Sequence, residues 1–84
     1  MLERGNVIRS LAGRDKGKLL AVMQADGKLA NVCDGKERPV DRPKSKNIRH
    51  VEPTGALLSE AETATNRALK KALRRLNAEI NGNT

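Results

Sequence analysis

The sequence predicts a mainly β fold: a small, strongly bent five-stranded barrel over residues 1–55, then an amphipathic basic C-terminal helix over 56–80. Three observations predict it. Short apolar runs alternate with turn residues from Gly5 to Val51, and two of the turns are Asp-Gly pairs, Asp26-Gly27 and Asp34-Gly35, a strong short-range hairpin signal. Five such strands are too few for an ordinary two-sheet sandwich, whereas bending into a barrel removes the exposed edges. Beyond Ala56 the apolar spacing changes from two to three and four.

The strands are expected at 6–11, 18–24, 28–33, 38–42 and 47–51. Val7, Ile8 and Leu11 carry the first. A tight turn, Gly13-Arg14-Asp15-Lys16-Gly17, leads into the more apolar second, with Leu19, Leu20 and Val22. Its two glycines can supply positive φ or a close approach to a partner, and Asp15 is suited to capping the turn. Asp26-Gly27 and Asp34-Gly35 bracket the third strand. Pro39 and Pro43 cannot donate ladder hydrogen bonds, so 38–43 reads as an edge strand or extended rim piece. Pro53-Thr54-Gly55 is expected to end the β region.

In the helical part, Ser59 and Glu62 fit a capping box. Leu58, Thr65, Leu69, Ala72, Leu73, Leu76 and Ile80 form one stripe, with Arg67, Lys70, Lys71, Arg74 and Arg75 around it. Thr63, Thr65 and Asn66 are poor interior residues, so a break there would leave a regular helix over about 65–79. The tail, 81–84, is expected to be disordered.

The 84 residues make one thin-cored domain: 37 % are hydrophobic and none is Phe, Tyr or Trp. Seventeen Lys and Arg against ten Asp and Glu give a net charge of +7. That excess favours a polyanionic partner, nucleic acid first and an acidic membrane surface second. No stretch is long and apolar enough for a membrane span, and Met1-Leu2-Glu3-Arg4 has no signal-peptide core, so a cytosolic protein is expected. The single cysteine, Cys33, has no disulfide or zinc partner and reads as a small buried hydrophobe, with a reactive thiol as the alternative.

Three basic groups are candidate binding residues. The first is the loop, where Arg14 and Lys16, with the amides near Gly13 and Gly17 and the flanking Arg9 and Lys18, could hold phosphates; the plain alternative is a solvated hairpin tip. The second is 36–50, with Lys36, Arg38, Arg42, Lys44, Lys46 and Arg49 against Glu37 and Asp41; it suits a backbone groove, or is a solvated charge run. The third is the helix, where 67, 70/71 and 74 line one face; Lys70, Lys71 and Arg74 suit a phosphate-lined groove, and a solvated helix packed on the barrel explains them as well. Without aromatic side chains, stacking on a sheet platform is closed to this chain, which directs recognition to folded RNA through backbone and shape. His50 is the only histidine, and no paired carboxylates, metal-ligand cluster or phosphate-loop pattern accompanies it; neither an enzyme nor a cofactor is expected.

Gly5, Val7, Leu11, Gly13, Lys16, Gly17, Leu20 and Val22 together resemble a KOW motif. With the basic 42–50 stretch and the helix over 68–73, the chain is similar to small bacterial KOW-domain RNA-binding proteins. These in turn are similar to archaeal and eukaryotic large-subunit ribosomal proteins numbered six, fourteen and twenty-seven. One departure is the absence of a further glycine after the loop, where Lys18-Leu19-Leu20 stands. The resemblance implies an SH3-like barrel that binds structured RNA, ribosomal RNA above all, on the ribosome or during its assembly. Ribosomal proteins are expected as neighbours, and a monomer off the RNA, with no membrane partner and no small-molecule substrate. A KOW barrel serving as a protein-binding adaptor, or a duplex-DNA binder, are the alternatives.

Overall fold

A computed structural model describes residues 2–81. It contains β1 (Asn6–Ser10), β2 (Leu19–Ala25), β3 (Leu29–Cys33), β4 (Lys44–Asn47), a 3₁₀ turn (Ile48–His50), β5 (Val51–Leu57), α1 (Glu60–Thr63) and α2 (Asn66–Asn81). The strands form one antiparallel sheet in the order β4-β3-β2-β1-β5. The sheet is not closed into a barrel: β4 and β5 are its two edges, linked through the 3₁₀ turn.

Consecutive side chains of a strand point to opposite faces, and here both faces are buried. Val7, Leu19, Ala21 and Cys33 pack on one side against Leu58 and the α2 residues Leu69, Ala72 and Leu73. Ile8, Leu20, Val22, Ala30, Val32 and Val51 fill the other side. This two-sided burial explains why β2 is apolar without alternation. Leu76 packs at the margin of the α2 stripe, while Ile80 is exposed.

The first three strands and the Asp26-Gly27 hairpin lie where the sequence puts them, within a residue or so. Asp26 shapes that hairpin by accepting the amides of Lys28 (2.7 Å) and Leu29 (2.8 Å). The expected strand at 38–42 is absent. Its place is taken by a loop closed by bonds from the Asp34 and Gly35 amides to the Arg38 carbonyl. The Val40 amide is bound instead by the Asn66 side chain at 2.7 Å, so the apolar residue that suggested a strand serves to dock α2.

The fourth strand is Lys44–Asn47, which carries no apolar residue because it is an exposed edge, where lysines discourage pairing with other chains. The expected strand at 47–51 is not formed: Asn47 ends β4 and Ile48–His50 make the 3₁₀ turn. The fifth strand starts at Val51 and runs to Leu57, through the Pro53-Thr54-Gly55 segment expected to end the β region. Proline is tolerated because β5 pairs only with β1. Leu57 pairs with Asn6 and Pro53 with Ile8, so the residues between Pro53 and Leu57 bulge opposite Val7, whose carbonyl accepts the Thr54 hydroxyl at 2.8 Å.

The helical region breaks where its polar residues predict. Ser59 and Glu62 form a reciprocal capping box on α1, and Thr65 Oγ1 accepts the Ala68 amide at the start of α2. Leu58 and Thr65 therefore precede the helices rather than continuing the stripe. Glu62 also receives Arg75 at 2.8 Å. The Ser59 amide and Arg75 hold its carboxyl below the ordinary carboxylate range. Of the expected disordered tail, Asn81 ends α2 and 82–84 lie outside the described residues. Among the described residues no helix is long and apolar enough to cross a membrane.

Candidate nucleic-acid interface

The 13–17 loop is built from its own backbone. Gly17 N donates to Ser10 O (2.8 Å), Lys18 N to Asp15 O (2.8 Å) and Lys16 N to Gly13 O (3.2 Å), while Gly13 and Gly17 adopt φ of 78° and 87°. The positive φ is as the glycine spacing implies. The supply of amides around Gly17 to phosphate is not, because the Lys16, Gly17 and Lys18 amides are consumed inside the turn. The loop's cations, Arg14 and Lys16, are both exposed and free to attract an anion.

Asp15 does not cap the turn with its side chain. Its carboxylate is buried and faces Arg38, with Nε 3.7 Å from Oδ2, which ties the 13–17 loop to the 34–38 loop. Arg38 Nε is itself buried without a hydrogen-bond acceptor. The contact is thus ionic rather than hydrogen-bonded.

Two flanking cations fold back on the loop. Arg9 Nη1 donates to Gly17 O at 3.0 Å. Lys46, paired in register with the buried Ala30, reaches Ala12 O at 3.0 Å and so connects the β4 edge to the first hairpin loop. The 3₁₀ turn joins the same place through Leu11 N and His50 O (2.8 Å). Carbonyl partners leave both charges uncompensated.

Beside the loop, on the α2 side of the sheet, a cleft of about 410 Å³ is lined by Lys18, Lys36, Lys70 and Arg74, together with the carboxylates Asp34 and Glu37. Its cations come from the residue preceding β2, the 34–38 loop and α2. Gly35 makes that approach close: at φ 83°, a Cβ there would lie 2.5 Å from the Asn66 carbonyl oxygen. Lys18 is 3.2 Å from Glu37. Asp34 Oδ1 accepts the amides of Lys36 (2.8 Å) and Arg38 (2.9 Å), fixing the loop.

Of the residues predicted from sequence, Gly17, Lys18, Lys70 and Arg74 therefore meet in one cleft, while Arg9, Gly13 and Lys46 converge on the adjoining loop. Among the described residues, Arg42, Lys44, Arg49 and Lys71 do not line the cleft; each is exposed. Lys71 does not share the Lys70 and Arg74 side, because the docking of Leu69, Ala72 and Leu73 turns it outward. Arg75 is taken by Glu62 and approaches Glu79 at 4.0 Å. Lys36 and Glu37 are visible in sequence only as parts of a charged run and Asp34 only as a turn residue; that all three line the cleft follows from the Asp34-Gly35 turn.

A larger cavity, about 600 Å³, includes Leu2, Ile48, Val51, Pro53 and Ala56 in its lining, together with Asp26 and no Lys or Arg. Its size does not make it a phosphate site, since it offers an anion no positive charge. Cys33 is buried in the sheet; desolvation, then the neighbouring Asp34 carboxylate, pushes its thiol up to about 11. No protein-family model matches this chain, and no curated protein matches it either.

Proposed function

We propose that this protein binds structured RNA through backbone and shape contacts, with ribosomal RNA as its principal target and a place on the ribosome or in its assembly. The observation that carries the reading is the convergence of Lys18, Lys36, Lys70 and Arg74, from three separate segments, on one cleft beside a doubly basic loop. Such a grouping suits closely spaced phosphates better than a single small anion. The chain acts as a binding protein rather than an enzyme, in the cytoplasm, and is monomeric off the RNA. The KOW resemblance and an SH3-like fold belong to this reading. Support for the fold comes from the strand order, the burial of both sheet faces and the three-residue link between the edge strands.

The test is filter binding of the purified protein to ribosomal RNA and to plasmid DNA across a salt series. With about six phosphates engaged, the log–log slope for RNA is near −5, by counterion release of about 0.9 per contact. A preference for plasmid, or no binding to ribosomal RNA in dilute buffer, overturns the proposal. The apolar cavity favours a second reading, a protein-binding adaptor. Gradient sedimentation separates the two: ribonuclease abolishes comigration with ribosomal particles on the first reading, and leaves association with a protein complex intact on the second.

A further inference from the structure

We propose that Glu37 occupies the position an RNA phosphate takes in the basic cleft, so that binding is an exchange of a resident carboxylate for a phosphate. The inference rests on the RNA-binding reading and deepens it by assigning a role to a residue of negative charge.

Two carboxylates line a cleft that also holds four cations, and their situations differ. Asp34 is fixed by the two loop amides that it accepts. Glu37 has one partner among the described residues, Lys18 Nζ at 3.2 Å, and the two side chains are 62 % and 46 % exposed. An ion pair in that much solvent is weak and exchanges readily. Two other ion pairs are better held, and the loose Arg75–Glu79 approach at 4.0 Å lies outside the cleft. Asp15 is buried against Arg38, and Glu62 is bonded to the Ser59 amide as well as to Arg75. Only the Lys18–Glu37 pair lies in the cleft.

A carboxylate and a phosphate present the same kind of anionic oxygen to an ammonium group. In the free protein Glu37 therefore satisfies Lys18. A phosphate bordered at once by Lys18, Lys36, Lys70 and Arg74 displaces it, and the released Glu37 side chain swings into solvent. An anion that engages Lys18 alone gains nothing over the resident carboxylate. The arrangement favours a backbone with several phosphates close together over an isolated anion.

The experiment measures affinity for a ribosomal RNA fragment at 0.15 M salt, where charges beyond about 8 Å are largely screened. The proteins are the wild type, Glu37→Gln, Glu52→Gln, Lys18→Met and the Lys18→Met/Glu37→Gln double variant. Glu52 is an exposed β5 residue outside the cleft, so its variant makes the same charge change elsewhere. Glu37→Gln is expected to tighten binding about two- to fivefold, the fold-change matching the worth of an exposed pair. Glu52→Gln should have a smaller effect, and the Glu37→Gln gain should vanish in the Lys18→Met background. Equal gains from Glu37→Gln and Glu52→Gln, or a gain that persists without Lys18, overturn the exchange while wild-type binding leaves the RNA reading standing. Absence of wild-type binding overturns both.

Discussion

Replacing Gly35 by alanine tests the arrangement on which the cleft depends. Two costs add at this position. A φ of 83° is left-handed backbone, which costs an L-residue about 1–2 kcal/mol. The new methyl would stand 2.5 Å from the Asn66 carbonyl oxygen and 3.1 Å from Lys70 Cγ. The first of these neighbours is backbone, so no side-chain rotation relieves it, and overpacking of this kind costs about 1–3 kcal/mol. The sum is about 2–5 kcal/mol. At about 4–8 °C per kcal/mol for a domain of this size, Tm should fall by at least about 8 °C.

Two other glycines calibrate the result. Gly17 has a φ of 87° and open space, with nothing within 4 Å, where a methyl would stand, so Gly17→Ala carries the conformational cost alone, about 1–2 kcal/mol. Gly27 has neither positive φ nor a neighbour within 4 Å, and Gly27→Ala should stay within about 0.5 kcal/mol of the parent. Thermal unfolding followed by far-UV circular dichroism reads all three. RNA affinity, measured well below each Tm, should drop for Gly35→Ala, because moving α2 separates Lys70 and Arg74 from Lys18 and Lys36. Equal Tm losses for Gly35→Ala and Gly17→Ala would refute the claim that α2 is docked through this contact.

Neutralising Arg14 and Lys16 together should weaken RNA binding more than neutralising Arg74 and Arg75. Arg75 is already paired with Glu62, so the second variant removes one available cation where the first removes two; equal losses in filter binding would reduce the effect to generic charge. Stability should fall at both ends of the pH scale. Glu62 titrates below its ordinary range when folded, so its contribution is present at neutral pH and is lost as pH falls through the carboxylate range; denaturant melts of Glu62→Gln should show a shallower acid limb. Cys33 titrates at about 11 when folded against 9.0 ordinarily, so its contribution is complete below 9.0 and is lost as pH rises toward 11; Cys33→Ala should lack that alkaline limb.

Local signals were legible where the residues that form an element also decide it. The Ser59–Glu62 box, the Asp26 hairpin and the apolar run of β2 are of this kind. The edges were not. β4 carries no apolar residue, and β5 contains a proline and a positive-φ glycine, because an edge strand need satisfy only one neighbour. Val40 misled for the opposite reason: an apolar residue between prolines resembles a strand, yet its amide is held by a side chain far along the chain. The basic residues were visible individually, but their grouping was not, since Lys18, Lys36 and Arg74 become neighbours only once α2 lies on the sheet.

That grouping also bears on what kind of interaction the surplus charge can support. A net charge of +7 spread over an unstructured chain would attract any polyanion and distinguish little among them. Folding sorts it. The α2 stripe of Leu69, Ala72 and Leu73 sets the rotation of the helix, which gives Lys70 and Arg74 to the cleft and sends Lys71 to solvent. Asp15 takes Arg38 out of the exposed set, and Glu62 takes Arg75. The carboxylates thus subtract cations at chosen places rather than diluting charge evenly. One result is a loop with two exposed cations beside a cleft with four, and a polyanion must match that spacing to engage both.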